Sequence, residues 1–335
     1  MLTRYLSAIC FGAVLTAVST LAAAQGQYIL TTATTGGTFY PVGVALSTLT
    51  KVKLEPTSGI SLSAISSGGS AENLKLMDEN QAQFGMLQGL YGSFAWNGTG
   101  PVPKAYKDLR SVSMLWQDVQ HFLLDKEYIE SGNVQDLTNL YEKGAFSIGA
   151  RNSGTEGSGR YILGQLGIDV NRLNLAYLGF GPTTDAMLNG RVSGANIIGG
   201  APVSAVTRLL AQAGENVDIL EITPAQLERI NAEFELWSPH ELPANTYPNQ
   251  NEPVTTIASP VVLTVRSDVP EEHVYAITKT MYENLPFLNN IHPATKAMAL
   301  EKAIAGLPMP LHAGAARYFQ EQGLEIPEHL MPITE

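Results

Sequence analysis

Cysteine is nearly missing from this chain. Cys10 is the only one in 335 residues, so a chain that loses its leader has no disulfide, no thiolate nucleophile and no cysteine-held metal. Basic charge is scarce as well: 20 Lys and Arg stand against 31 Asp and Glu, a net charge of −11. That balance argues against nucleic acid and anionic membrane surfaces as partners. It leaves a small anion in a local pocket open, because diffuse surface charge is screened within about 8–10 Å. Metal and catalytic motifs are also lacking. His121, His240, His273, His292, His312 and His329 do not pair at ligand spacing. Ser158, in Glu156-Gly157-Ser158-Gly159-Arg160, has its glycines at the wrong offsets for a nucleophile elbow. Nothing here asks for an enzyme, a cofactor or a bound metal. A secreted hydrolase using Ser153 or Ser158 is the competing reading, and it needs a general base that the sequence does not display.

Long apolar runs are absent beyond the first residues. Arg4 precedes an apolar stretch from Leu6 to Leu21, which ends in Ala22-Ala23-Ala24-Gln25. A charged start, a short apolar run and an A-x-A site read as a secretory signal peptide over residues 1–24. The run is short for a membrane span and no stop-transfer charges follow it. Cleavage after Ala24 leaves 335 − 24 = 311 residues, with charge −12 once Arg4 is gone. That length suits two domains.

The exported part alternates apolar strand patterns with helical ones, which implies an α/β chain with mostly parallel sheets. Strands are expected at 28–34, 61–66, 83–88, 109–115, 145–149, 173–178, 196–199 and 217–221. Helices are expected at 38–49, 70–79, 134–143, 155–166, 183–188, 202–213 and 224–234, and 237–253, rich in proline, reads as an irregular loop. A long strand at 255–265 precedes three helices, at 270–288, 293–305 and 312–322. Two α/β blocks followed by a strand and helices suggest a chain that visits two lobes and returns to the first. The hinge is expected near 116–125 and 252–262.

The informative segments are glycine-rich turns after strands, where open α/β sheets bind ligands. Thr34-Thr35-Gly36-Gly37-Thr38-Phe39-Tyr40-Pro41 leaves a strand and opens a helix, and its free N–H groups suit a carboxylate or phosphate. It is neither a Walker loop nor a Rossmann fingerprint. Ser66-Ser67-Gly68-Gly69-Ser70 follows the next strand, with Ser70 a candidate N-cap. Gly149-Ala150-Arg151-Asn152-Ser153-Gly154-Thr155 repeats the arrangement in the second block, where Arg151 offers a two-pronged grip on a carboxylate. Gly199-Gly200-Ala201-Pro202 is the fourth. Two facing pairs of helix N-termini would make an anion clamp.

The same residues resemble the TAXI family of TRAP-transporter solute receptors. The likeness starts at Thr35-Gly36-Gly37-Thr38-Phe39-Tyr40-Pro41-Val42-Gly43 and runs through Gly69-Ser70-Ala71-Glu72-Asn73-Leu74, Gln88 and the 149–155 loop. It resumes at Tyr247-Pro248-Asn249-Gln250 and closes at Pro310-Leu311-His312-Ala313-Gly314-Ala315. The resemblance implies a type II periplasmic binding fold of two α/β lobes joined by hinge strands, with the ligand cleft between them. It implies a periplasmic receptor, working as a monomer, that delivers a small organic acid such as glutamate, 2-oxoglutarate or a related dicarboxylate to TRAP membrane permease subunits. The lobes would comprise 25–118 with 259–335, and 119–258. Carried over by motif, the contacts are Gly37, Thr38, Phe39, Tyr40, Ser67, Ser70 and Gln88 from the first lobe. Ser153, Gly154, Thr155 and Tyr247 come from the second. The family's third loop commonly reads Gly-Ala-Pro-Gly-Ser-Gly-Thr, and here Arg151-Asn152 replaces Pro-Gly. That departure suggests an added cation at Arg151 for a second carboxylate.

Overall fold

The computed structural model describes residues 26–333. The expected signal peptide lies outside the described residues. Among the described residues, ten strands form one sheet. They are β1 (Gln27–Thr31), β2 (Ser61–Ile65), β3 (Phe84–Gln88), β4 (Leu109–Asp125), β5 (Ala145–Ser147), β6 (Asn174–Ala176), β7 (Gly194–Gly199), β8 (Val217–Leu220), β9 (Ser238–Leu242) and β10 (Val254–Arg266). Their order is β2-β1-β3-β10-β4-β7-β5-β6, with β8 beside β4 and β9 beside β10.

The sheet has two parallel ends and an antiparallel middle. β1 pairs in parallel with β2 and β3, and β5 does so with β6 and β7. Each parallel end needs a helical crossover between its strands, which is why strand and helix alternate in both blocks. The middle belongs to β4 and β10, which run antiparallel from Leu109↔Arg266 to Val119↔Ala258. The early half of β4 and the late half of β10 sit with the first block. Past Val119, β4 pairs with β7 and β8, while β10 before Ala258 pairs with β9. Two strands therefore cross from one lobe to the other. The pairing register of β4 slips at Leu115 and again at Val112, two bulges that bend the strand on its way to the cleft.

Apolar clusters lie in both lobes. Leu30, Phe84, Trp116, Val262 and Phe319 share one core, and Leu74, Met77, Leu87 and Tyr91 another. In the second lobe, Phe122, Phe146, Ile162 and Trp237 pack together, as do Ile197, Val206, Leu209 and Leu242. Helical periodicity feeds these cores. The Glu271–Glu283 helix buries Val274, Ile277, Thr278 and Met281 on one stripe, with Glu271 and Glu272 in the first turn where the helix dipole favours acids.

Several local expectations change. The strand expected at 109–115 continues to Asp125 as one 17-residue strand, because the residues that follow are extended and nearly all buried. The stretch 237–253 is not all loop: β9 lies inside it. Pro239 is tolerated because β9 pairs only with β10, leaving an edge that needs no donor. The helix at 270–288 is two, Glu271–Glu283 and Leu285–Ile291, broken at Asn284 just before Pro286. An additional helix, Gly89–Asn97, carries Leu90 and Phe94 into the second-lobe cluster, with Phe94 edge-on to Phe234 at 5.9 Å.

Candidate functional site

Between the lobes lies a cavity of about 30 Å3. Its walls are the ends of parallel strands and the starts of helices. Thr38 and Phe39 begin the Phe39–Lys53 helix, and Gly69 and Ser70 begin Ser70–Asp78. Gln88 precedes Gly89–Asn97, Ser153 precedes Gly154–Gln165, and Gly179 precedes Phe180–Leu188. Five helix N-termini from two lobes thus face one space. Four of them have no side-chain cap, so their first N–H groups are left for another acceptor. A carboxylate at such a place gains both hydrogen bonds and the dipole field.

The lobes meet around this space. Thr38 Oγ1 donates to the Gly200 carbonyl at 3.1 Å, and Ser204 Oγ to the Gly36 carbonyl at 3.1 Å. Tyr91 donates to the Ser153 carbonyl at 3.4 Å. Gly154 is the tightest approach: a Cβ there would stand 2.7 Å from both Gln88 Oε1 and Ser70 Oγ. Only glycine lets the second lobe come this near.

The expected site residues divide. Gly37, Thr38, Phe39, Ser70, Gln88, Ser153, Gly154 and Thr155 all line the cavity. Ser70 is the first residue of its helix and not the cap; its hydroxyl accepts from the Gln88 N–H at 3.1 Å, tying two of the helix starts together. Ser67 stands behind the wall. Its hydroxyl contacts Asn73 Oδ1 at 2.6 Å and accepts from the Gly69 N–H at 3.1 Å, shaping the loop. Tyr40 is half-buried on its helix and outside the lining. Tyr247 is buried in the second lobe, where its hydroxyl meets His121 Nε2 at 2.8 Å and accepts from the Val203 N–H at 3.0 Å. Burial holds His121 down to about 4 and raises Tyr247, so a neutral imidazole accepts from a neutral phenol.

Arg151 is the main correction. It is exposed, its guanidinium lies 3.7 Å above the Tyr177 ring, and it does not line the cavity. Stacking on Tyr177 turns the side chain outward. Among the described residues, no Lys, Arg or His lines this space. The two candidate serine nucleophiles are otherwise engaged: Ser153 caps its helix by accepting from the Glu156 N–H at 3.0 Å, and Ser158 donates to the Thr155 carbonyl at 3.3 Å.

Two lining features escaped the sequence reading. Gly179-Phe180 is a fifth turn after a strand, with the same signal as the others in Leu178-Gly179-Phe180-Gly181. Asp118 is the second. It stands two residues after Trp116 on β4, so both point to one face, and Trp116 Nε1 donates to its Oδ1 at 2.9 Å. Its Oδ2 has no partner. Burial pushes the carboxyl up to about 7, opposed by the Trp116 N–H and by the nearby Gln88 side chain. The wall behind Thr155 is a polar chain. Asn196 Nδ2 donates to the Thr155 carbonyl at 2.8 Å, Gln120 Nε2 donates to Asn196 Oδ1, and Thr256 Oγ1 donates to the Gln120 carbonyl at 2.8 Å.

Residues 30–323 match the NMT1-like family. The chain belongs to that family. Among solved structures, this NMT1-like protein is similar to MatC from Rhodopseudomonas palustris with bound malate, at 14% identity and a TM-score of 0.56. That match covers 88% of this chain and 96% of MatC. It is also similar to the periplasmic binding protein BugD, at 14% identity and a TM-score of 0.51, over 88% of this chain and 93% of BugD. These are likenesses of fold: the NMT1-like chain has the two-lobed α/β architecture of periplasmic binding proteins, as its sequence led one to expect. No helix among the described residues is long and apolar enough to cross a membrane.

Three outcomes follow from this geometry. Gly154→Ala should oppose closure by roughly 1–3 kcal/mol and weaken solute binding about tenfold or more in calorimetric titration, with a smaller change in urea unfolding. Arg151→Ala should leave solute affinity within about twofold, since a cation screened by solvent contributes little. Asp118 has a folded-state value raised above its ordinary 3.8 to about 7. Its neutral form therefore contributes stability below about pH 4 that is lost as pH rises through about 7. Across that window the unfolding free energy of wild type, relative to Asp118→Asn, should fall by up to about 1.4 kcal/mol per pH unit. A flat difference would show that the carboxyl is not buried as described.

Proposed function

We propose that this chain is the periplasmic receptor of a TAXI-type TRAP transporter, exported by a cleavable leader. It closes on a small organic acid such as glutamate, 2-oxoglutarate or a related dicarboxylate, and delivers it to membrane permease subunits. The observation that carries this reading is the convergence of five helix N-termini from two lobes on one cleft. An array of oriented N–H groups serves to hold an anion, and the serines that could act as nucleophiles are engaged elsewhere, Ser153 as the cap of its helix and Ser158 with the Thr155 carbonyl. The motifs running from Thr35 to Gly43 and from Pro310 to Ala315 support the TAXI type.

In this reading the protein acts as a monomer without a cofactor and catalyses nothing. The lobes are 25–118 with 259–335, and 119–258, and they bend about β4 and β10. Solute selects the closed arrangement from an open one. Binding energy comes from charge-assisted hydrogen bonds of about 1.5–3 kcal/mol each. A few of these, less the cost of immobilising the solute, give micromolar affinity, about −8 kcal/mol.

The test is a thermal-shift screen of refolded protein spanning 25–335 against small mono- and dicarboxylates. Malate belongs on the panel because MatC was solved with it. A ligand at ~100 times its dissociation constant should stabilise by about 2.7 kcal/mol. Stabilisation by carboxylates is the expected result. Stabilisation by sulfonates or phosphonates alone would point to a receptor for an ATP-driven importer, and ester or amide hydrolysis by the purified chain would overturn the reading.

A further inference from the structure

Among the described residues, Asp118 has the only titratable side chain in the cavity lining, and an array that merely holds an anion has no use for it. The residue is fully buried, and its Oδ2 lacks a hydrogen-bond partner. Gln88, 4% exposed, lines the same cavity with an unpartnered Oε1. Gln88 Oε1 is an acceptor, and so is Asp118 Oδ2 whenever the carboxyl is ionised. A buried acceptor without a donor costs about 1–3 kcal/mol, and more when it is charged. No Lys, Arg or His among the described residues enters the lining to relieve them. Gln88 Oε1 also lies against Gly154, at the narrowest point between the lobes.

The rest of the wall has the opposite character. The helix starts at Phe39, Ser70, Gly89, Gly154 and Phe180 present donors. The cleft is therefore a donor array with one acceptor corner. A dianion would satisfy the array and set a negative charge against Asp118. A solute carrying a carboxylate and an ammonium on neighbouring atoms would satisfy both parts. An ammonium has three donors, enough for Asp118 Oδ2 and Gln88 Oε1 together. It would also favour the ionised carboxylate that burial opposes.

We propose that Asp118 and Gln88 form a subsite for a protonated amino group, so that the cleft selects zwitterionic amino acids over keto and hydroxy acids of the same skeleton. The proposal rests on the carboxylate-receptor reading and narrows it.

The experiment is calorimetric titration of refolded protein with two matched pairs: L-glutamate against 2-oxoglutarate, and L-aspartate against malate. The amino member of at least one pair should bind about ten- to a hundredfold more tightly, the worth of one hydrogen bond to a charged group. Asp118→Asn should bring that ratio close to one, chiefly by weakening the amino acid. Gln88→Glu, which adds a second carboxylate to the corner, should keep or widen the preference. A keto or hydroxy acid that binds wild type as tightly as its amino partner would overturn the subsite. So would an Asp118→Asn protein that keeps the wild-type ratio. If acids bind without preference, the carboxylate reading stands and only the amino subsite falls. If no member of either pair binds, both fall.

Discussion

The ladder between β4 and β10 constrains everything else about the cleft. These strands are hydrogen-bonded to each other and continue into opposite lobes, so the lobes can move only as the ladder twists. Antiparallel strands twist at little cost when their bonds stay made, whereas breaking them would leave buried donors and acceptors unpaired. The bulges at Leu115 and Val112 place extra bend in β4 just before Trp116 and Asp118. Asp118, which lines the cleft, is thus carried by a strand that runs through both lobes.

Electrostatics and packing meet at this point. The N–H groups of five helices would attract an anion from either lobe, but the lobes touch first through neutral contacts: Thr38 to Gly200, Ser204 to Gly36, Tyr91 to Ser153. These contacts join hydroxyls to backbone carbonyls, and the described residues that line the cleft are otherwise uncharged. Asp118 is the exception. Its burial raises the cost of ionisation, and Trp116 satisfies only one of its oxygens.

The alternation of strand, glycine-rich turn and helix was legible because each signal is local. A turn such as Gly36-Gly37-Thr38 says from its own residues that backbone N–H groups face outward. Thr38, Ser70 and Gly154 could be placed on the cleft for that reason. Arg151 could not, because its direction depends on Tyr177, whose ring comes from a different strand end. Tyr247 is claimed by His121, 126 residues earlier. Asp118 read as part of a hinge, since a lone acid in an apolar run shows its use only when Gln88 and Gly154 are brought beside it. β9 was hidden because Pro239 argues against a strand until the strand is known to be at an edge.

The core that contains Leu30 also contains Val262, Phe319 and Leu330. The lobe that begins the chain is therefore finished by the residues that end it, while β5 to β9 lie within one continuous stretch. During synthesis β3 has no β10 to pair with until nearly the whole chain exists. That order of assembly delays burial of β3 and of the Phe39–Lys53 helix, and keeps the growing chain from locking into a rigid body too early.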